Sequence, residues 1–214
     1  MPRKRPHRGH VRKHTAPRVF SVFLNIPYDQ PFVELFLAYL AGVSAYGLVP
    51  RATLEIPGGG RRLDRIVSLI ESCRYSIHDL SRVELDPAPP PTPRFNMPFE
   101  LGLAIGREHM AKSHTWFVFE TMPWRCQKSL SDLNGTDIYL HNGTPEGVFR
   151  ELASAFVRKS RQPSVQEMRR IFEGLKKGLP EILHRAGSNT PFQARAFRDL
   201  CVYASALAEQ VSGK

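Results

Sequence analysis

Five short runs rich in β-branched and aromatic residues, VFSVFLN, LVPRATLEI, RYSIHDLS, HTWFVFE and DIYLHN, alternate between residues 18 and 160 with stretches of helical periodicity. This alternation constrains the fold more than any other feature of the chain. Strands separated by helices assemble as a parallel sheet with helices on both faces. The expected class is therefore α/β, a doubly wound parallel sheet of five strands.

The connecting segments fit that frame. An apolar helix is expected over 32–44, and RRLDRIVSLIESC forms an amphipathic one with Leu63, Ile66, Val67 and Ile70 on one face. A third helix begins near Pro98, because proline is tolerated at a helix start, where its missing N–H would have no partner. The six prolines between Pro87 and Pro98 forbid a regular element before it. A fourth helix opens on the capping sequence Thr144-Pro145-Glu146. PGGG at 57–60 and TMPWRCQKSLSDLNG at 121–135 read as loops. After residue 160 only helical patterns remain, with apolar positions Val165, Met168, Ile171, Phe172 and Leu175, then Phe192, Phe197, Leu200, Val202 and Leu207. They predict a C-terminal helical appendage over 161–214, packed on the domain of residues 18–160 or on a second subunit.

A chain of 214 residues, 42% hydrophobic, can bury one good core plus such an appendage. Its net charge of +10 is unevenly placed. Residues 1–18 hold seven Lys/Arg and no acid, which leaves only +3 for the rest. Residues 1–17 are read as a basic disordered tail, either a solubilising segment or a non-specific contact for nucleic acid, and nucleic acid is expected nowhere else. No apolar run approaches the roughly 20 residues of a membrane span, and the basic start lacks a signal-peptide hydrophobic region. Cys73, Cys126 and Cys201 are scattered and form no CxxC pair, so a reducing, cytoplasmic setting without a metal or a resident cofactor is expected.

In open α/β sheets ligands bind beyond the carboxyl ends of the strands. The loop after the first strand carries Asn25, Pro27, Tyr28 and Asp29; that after the third carries Asp79, Ser81 and Arg82; and the proline-rich segment delivers Arg94, Asn96 and Glu100 to the same edge. Glu100 lies between Phe99 and Leu101, so its carboxylate must be solvated, paired or in use. Two readings of it stand: an acid in the first turn of a helix, favoured by the dipole, or a working group. Asp79 is likewise either a turn cap for Ser81 or a second acid. Tyr28 and Phe95 either stack on a base or cover the core, and Arg82 and Arg94 are candidate phosphate partners.

Three of these stretches carry a resemblance. VFSVFLNIPYD, CRYSIHDLS and RFNMPFELGLAIG resemble the bacterial Toll/interleukin-1-receptor-like (TIR-like) domains and the related nucleoside 2-deoxyribosyltransferase-like proteins, over about residues 18 to 160. The most specific block, FNMPFELG, is similar to the Asn-x-x-Phe-Glu-Leu-Gly block of TIR-like nucleotide-binding proteins, while IHDLS is closer to the deoxyribosyltransferases. Many TIR NAD hydrolases carry a Trp-Cys pair before the glutamate; this chain has Met97-Pro98-Phe99. The resemblance implies a flavodoxin-like fold and a nucleotide pocket in which Glu100 acts on the ribose side of an N-glycosidic bond, with Asn96 beside it and Asp79 facing it. The implied activity is cleavage of the nicotinamide–ribose bond of NAD+, a substrate here rather than a cofactor, by a bacterial defence effector. Activity gained on homo-oligomerisation is implied as well, with the C-terminal helices as candidate interface. The alternatives are a non-catalytic nucleotide-sensing module and a deoxyribosyltransferase using both Asp79 and Glu100.

Overall fold

A computed structural model describes residues 19–55, 61–83, 85–86, 89–111, 113–157 and 162–213. The expected basic tail and the PGGG loop lie outside them. The order is β1 (Ser21–Asn25), α1 (Val33–Ala45), β2 (Val49–Arg51), α2 (Arg62–Ser72) and β3 (Tyr75–Asp79), then a small antiparallel ribbon of β4 (Leu85–Asp86) and β5 (Thr92–Pro93). There follow α3 (Asn96–Ala111), β6 (Thr115–Glu120), α4 (Arg125–Ser129), β7 (Ile138–Leu140), α5 (Pro145–Ala155), α6 (Val165–Ala186) and α7 (Ala194–Ser212). Five strands form one all-parallel sheet in the order β2-β1-β3-β6-β7, the flavodoxin-like arrangement, with its switch point between β1 and β3.

Strand alternation sorts side chains onto two faces. Val22, Leu24, Ile77 and Phe119 join the core under α1 and α5, whereas Phe23 and Val118 meet α2, α3 and α4. Helix α1 is buried without a break from Leu35 to Ser44, which explains why its sequence is apolar all round: the sheet covers one side, and α6 and α7 cover the other. Met168, Ile171, Phe172, Leu175, Phe197 and Leu200 thus belong to the same core as the strands. Gly174 and Gly178 permit the close approach of α6 and α7, since a Cβ there would stand 2.8 Å from Leu207 and 2.5 Å from Tyr203. Helix α6 opens on a Ser164/Glu167 capping box and ends at Gly187 in the left-handed region, φ 64°.

Several boundaries differ from expectation for identifiable reasons. The second strand stops at Arg51 because Glu55 Oε1 accepts the Ala52 N–H (2.9 Å) and the Arg51 Nε–H (2.7 Å), closing a 3-10 turn over Thr53–Glu55. In α2 the buried face is Ile66, Leu69 and Ile70, and Leu63 is exposed at the helix start. Val202 of α7 points to solvent. The segment expected to be irregular after β6 contains α4 and a 3-10 turn over Ser131–Leu133. The proline-rich stretch, expected to hold no regular element, supplies β5, a two-residue strand paired only with β4, where proline's missing N–H is tolerated. Helix α3 starts at Asn96, two residues before Pro98, so Glu100 sits past the first turn and the dipole reading of it lapses. Among the described residues no helix is long and apolar enough to cross a membrane.

Candidate functional site

At the carboxyl edge of the sheet a hollow of about 90 Å³ opens where β1 ends. Asn25, the last residue of β1, forms its floor with Met97, and Ile26, Pro27 and Tyr28 carry the chain over its lip. Thr53 of the 3-10 turn and Arg62, the first residue of α2, form a second wall; Arg94, Asn96 and Glu100 of the α3 start form the third. At roughly 30 Å³ per water the space holds about three waters, well short of the roughly 300 Å³ at which small-molecule sites begin. It suits part of one sugar ring, with any larger ligand lying across the rim.

Glu100 is 5% exposed. Burial pushes its carboxyl up to about 7, and the nearby Arg62 charge opposes that rise without cancelling it. Both protonation states are therefore populated at neutral pH. No hydrogen bond or ion pair ties down this carboxyl among the described residues. The other charges at the rim are organised differently: Asp29 Oδ2 takes both Arg94 Nη1 (3.1 Å) and Arg82 Nη2 (3.4 Å). Arg62, at the start of α2, adds a further guanidinium to the lining of the hollow. The Tyr28 hydroxyl donates to the Leu24 carbonyl (3.0 Å), and burial raises its phenol above the ordinary range. Its ring lies 5.9 Å from that of Phe192 in the turn before α7.

Asp79 stands elsewhere. The expectation that it faces Glu100 is corrected by strand parity, because Asp79 and Ile77 share the face that packs on α1, while α3 lies on the other. Asp79 is fully buried. Its Oδ2 accepts the Tyr39 hydroxyl (2.8 Å) and lies 3.2 Å from His141 Nε2, and its Oδ1 accepts the Ser81 N–H (2.9 Å). Gly143 N–H donates to His141 Nδ1 (3.2 Å), whereas His141 Nε2, though close to Asp79, is not aligned for a hydrogen bond to it. The turn-cap reading of Asp79 thus describes its contacts. Ser81 lines no part of the hollow; Arg125 Nη2 donates to its carbonyl (2.7 Å) and pins that loop. Arg82 does not line the hollow and pairs with Asp29 behind it. Phe95 is exposed, off the hollow's wall.

The hollow thus brings together Asn25, Pro27, Tyr28, Arg94, Asn96 and Glu100 of the expected set, with Asp29 and Arg82 one contact behind. Sequence reasoning missed Thr53, Arg62 and His78, whose Nδ1 accepts from Asn25 Nδ2 at 2.9 Å. Parity in RYSIHDLS was the available signal for His78, since it puts His78 on the side opposite Asp79. For Arg62 no signal existed, as an arginine opening an amphipathic helix reads as solvated surface. A wider depression of about 530 Å³ at the turn between α6 and α7, lined by Leu183, His184, Ser188, Asn189 and Gln193, is open to solvent and carries no carboxylate. Among the described residues no group of three or more His, Cys, Asp and Glu could hold a metal ion. No family model matches the chain, and no curated protein does.

Proposed function

We propose that the hollow receives the ribose of a nucleotide and that Glu100 assists cleavage of the nicotinamide–ribose bond of NAD+. The observation that carries this reading is a carboxyl buried without a partner in a hollow that admits part of a sugar ring at the switch point of the sheet. Breaking that bond passes through an oxocarbenium-like state, which a carboxylate under the sugar stabilises, as in glycosidases. Nicotinamide leaves NAD+ as a neutral molecule from a cationic substrate, so no acid is needed to protonate it. The single available carboxyl therefore suffices. The guanidiniums of Arg62 and Arg94, which both line the hollow, suit the phosphates of a nucleotide better than an uncharged nucleoside. Exchange of purine or pyrimidine bases would call for a second acid, and Asp79 is turned to the far face.

Incubation with NAD+ and chromatography of the products tests the reading. The wild-type protein, assembled as an oligomer where needed, should release nicotinamide, and Glu100→Gln should release it about 100- to 1,000-fold more slowly. Because the ionised form is the working one, kcat/KM should rise with pH through about 7. Equal release by both proteins, or none by either, would end the claim. The small volume of the hollow favours one competing reading, a module that binds a nucleotide without turning it over. Calorimetry with ADP-ribose and NAD+, followed by recovery of intact ligand and no nicotinamide, would establish that instead.

A further inference from the structure

We propose that a buried chain of hydrogen bonds through His114, Ser76 and His78 fixes the amide of Asn25, so that its Oδ1 stands in the hollow as a permanent acceptor beside Glu100. His78 is then a positioning residue for a ligand that brings hydroxyl donors. The ligand half of this statement rests on the sugar reading above; the chain itself does not.

The protons along the chain are determined by its two ends, both of which are backbone carbonyls. Met97 O accepts only, so the Asn25 side-chain atom 3.0 Å from it is Nδ2, a donor. Its second hydrogen points to His78 Nδ1 at 2.9 Å, which must therefore be the bare nitrogen of a neutral ring. His78 Nε2–H then donates to Ser76 Oγ at 2.9 Å. At the other end Cys73 O lies 3.0 Å from His114 Nδ1, which carries the proton and leaves Nε2 bare. The Ser76 hydroxyl donates to that Nε2 at 2.8 Å. Every link thus runs in one direction and every hydrogen has one place.

Ser76 and His78 are fully buried, and Asn25 and His114 nearly so. Burial pushes His78 down to about 3 and His114 below its ordinary value, so both rings stay neutral as the chain requires. With both amide hydrogens engaged, Asn25 has only Oδ1 left, and that atom has no partner among the described residues although Asn25 lines the hollow. Asn25 Oδ1 and an ionised Glu100 together offer acceptors and no donor. A vicinal diol satisfies both, whereas a 2-deoxy sugar leaves one of them unmet, so the site should distinguish ribose from deoxyribose.

Nitrogen-15 NMR of the imidazole rings tests the chain without any ligand. From about pH 5.5 to 8, His78 should be protonated at Nε2 only and His114 at Nδ1 only, neither ring titrating. A proton on His78 Nδ1 would overturn the proposal. Binding of ribose 5-phosphate and of 2-deoxyribose 5-phosphate tests the consequence. Wild type should prefer the ribose compound by about tenfold, the worth of one good hydrogen bond. The preference should vanish in His78→Leu and return in His78→Asn, whose Oδ1 takes the place of the ring Nδ1. An unchanged preference in His78→Leu would refute the positioning role. Failure of wild type to bind either sugar phosphate, with both tautomers as stated, would refute the sugar reading and the hydroxyl-acceptor role while upholding the chain.

Discussion

His78 and Asp79 are neighbours in β3, yet each anchors a buried polar cluster on an opposite face of the sheet. On the α1 side, Asp79 is enclosed by Tyr39, His141 and the Ser81 N–H, and it takes no part in lining the hollow. On the α3 side, His78 leads through Asn25 to a hollow in which Glu100 is left without a partner. The two carboxyls are nearly equal in burial and opposite in circumstance. A buried acid that accepts from a hydroxyl on one oxygen and a backbone N–H on the other is held in place by the fold and contributes to it. One that is desolvated and unsatisfied is a cost to the fold that a ligand can relieve.

The difference can be broken most severely at Asp79. Asp79→Ala should cost about 2 to 5 kcal/mol in urea unfolding, because it leaves the Tyr39 hydroxyl and the Ser81 N–H without their acceptor in the interior. At Glu100 the sign should reverse. Its folded value of about 7 lies above the ordinary 4.5, so the folded state holds a proton that the unfolded chain releases, and stability falls as pH rises from about 4.5 to 7. Glu100→Gln removes that slope. It should stabilise the protein by up to about 3 kcal/mol at pH 8 and by little below pH 4.5, as read from urea midpoints at the two pH values. A destabilised Glu100→Gln at pH 8 would erase the contrast with Asp79. His78→Leu should fall between, costing about 1 to 3 kcal/mol through the hydrogen bonds left open at Asn25 and Ser76. The smallest effect should come from Arg62→Gln. Carboxyl carbon-13 titration should then find Glu100 above its wild-type value, since the one charge opposing its rise is gone.

Much of the frame was legible in the chain. The five-strand alternation, the apolar α1 and the helices beyond residue 160 follow from periodicity and emerge close to expectation. Strand ends were less legible: β2 stops early because the Glu55 side chain competes for the backbone, an interaction that strand propensity does not encode. Glu100 was legible as an acid out of place among apolar neighbours, and the loop after β1 as polar groups following a strand. Assigning Asp79 to the same cavity failed because a loop was followed by its proximity along the edge, while the pleat decides the face. Arg62 and Thr53 enter the hollow only through tertiary placement of α2 and the turn after β2, which no local pattern specifies.

Tyr28 rests against Phe192, and the turn bearing Thr53 rests against α7, so the hollow's walls are held by parts of the chain more than 130 residues downstream. On a ribosome, the sheet emerges well before the segment that completes its pocket. During that interval α1 would present its outer apolar side to water and the cleft would lack firm support. The binding edge of the sheet is consequently complete only once residues 165–212 have been made and docked, so the last helices to be synthesised decide when the hollow acquires its shape.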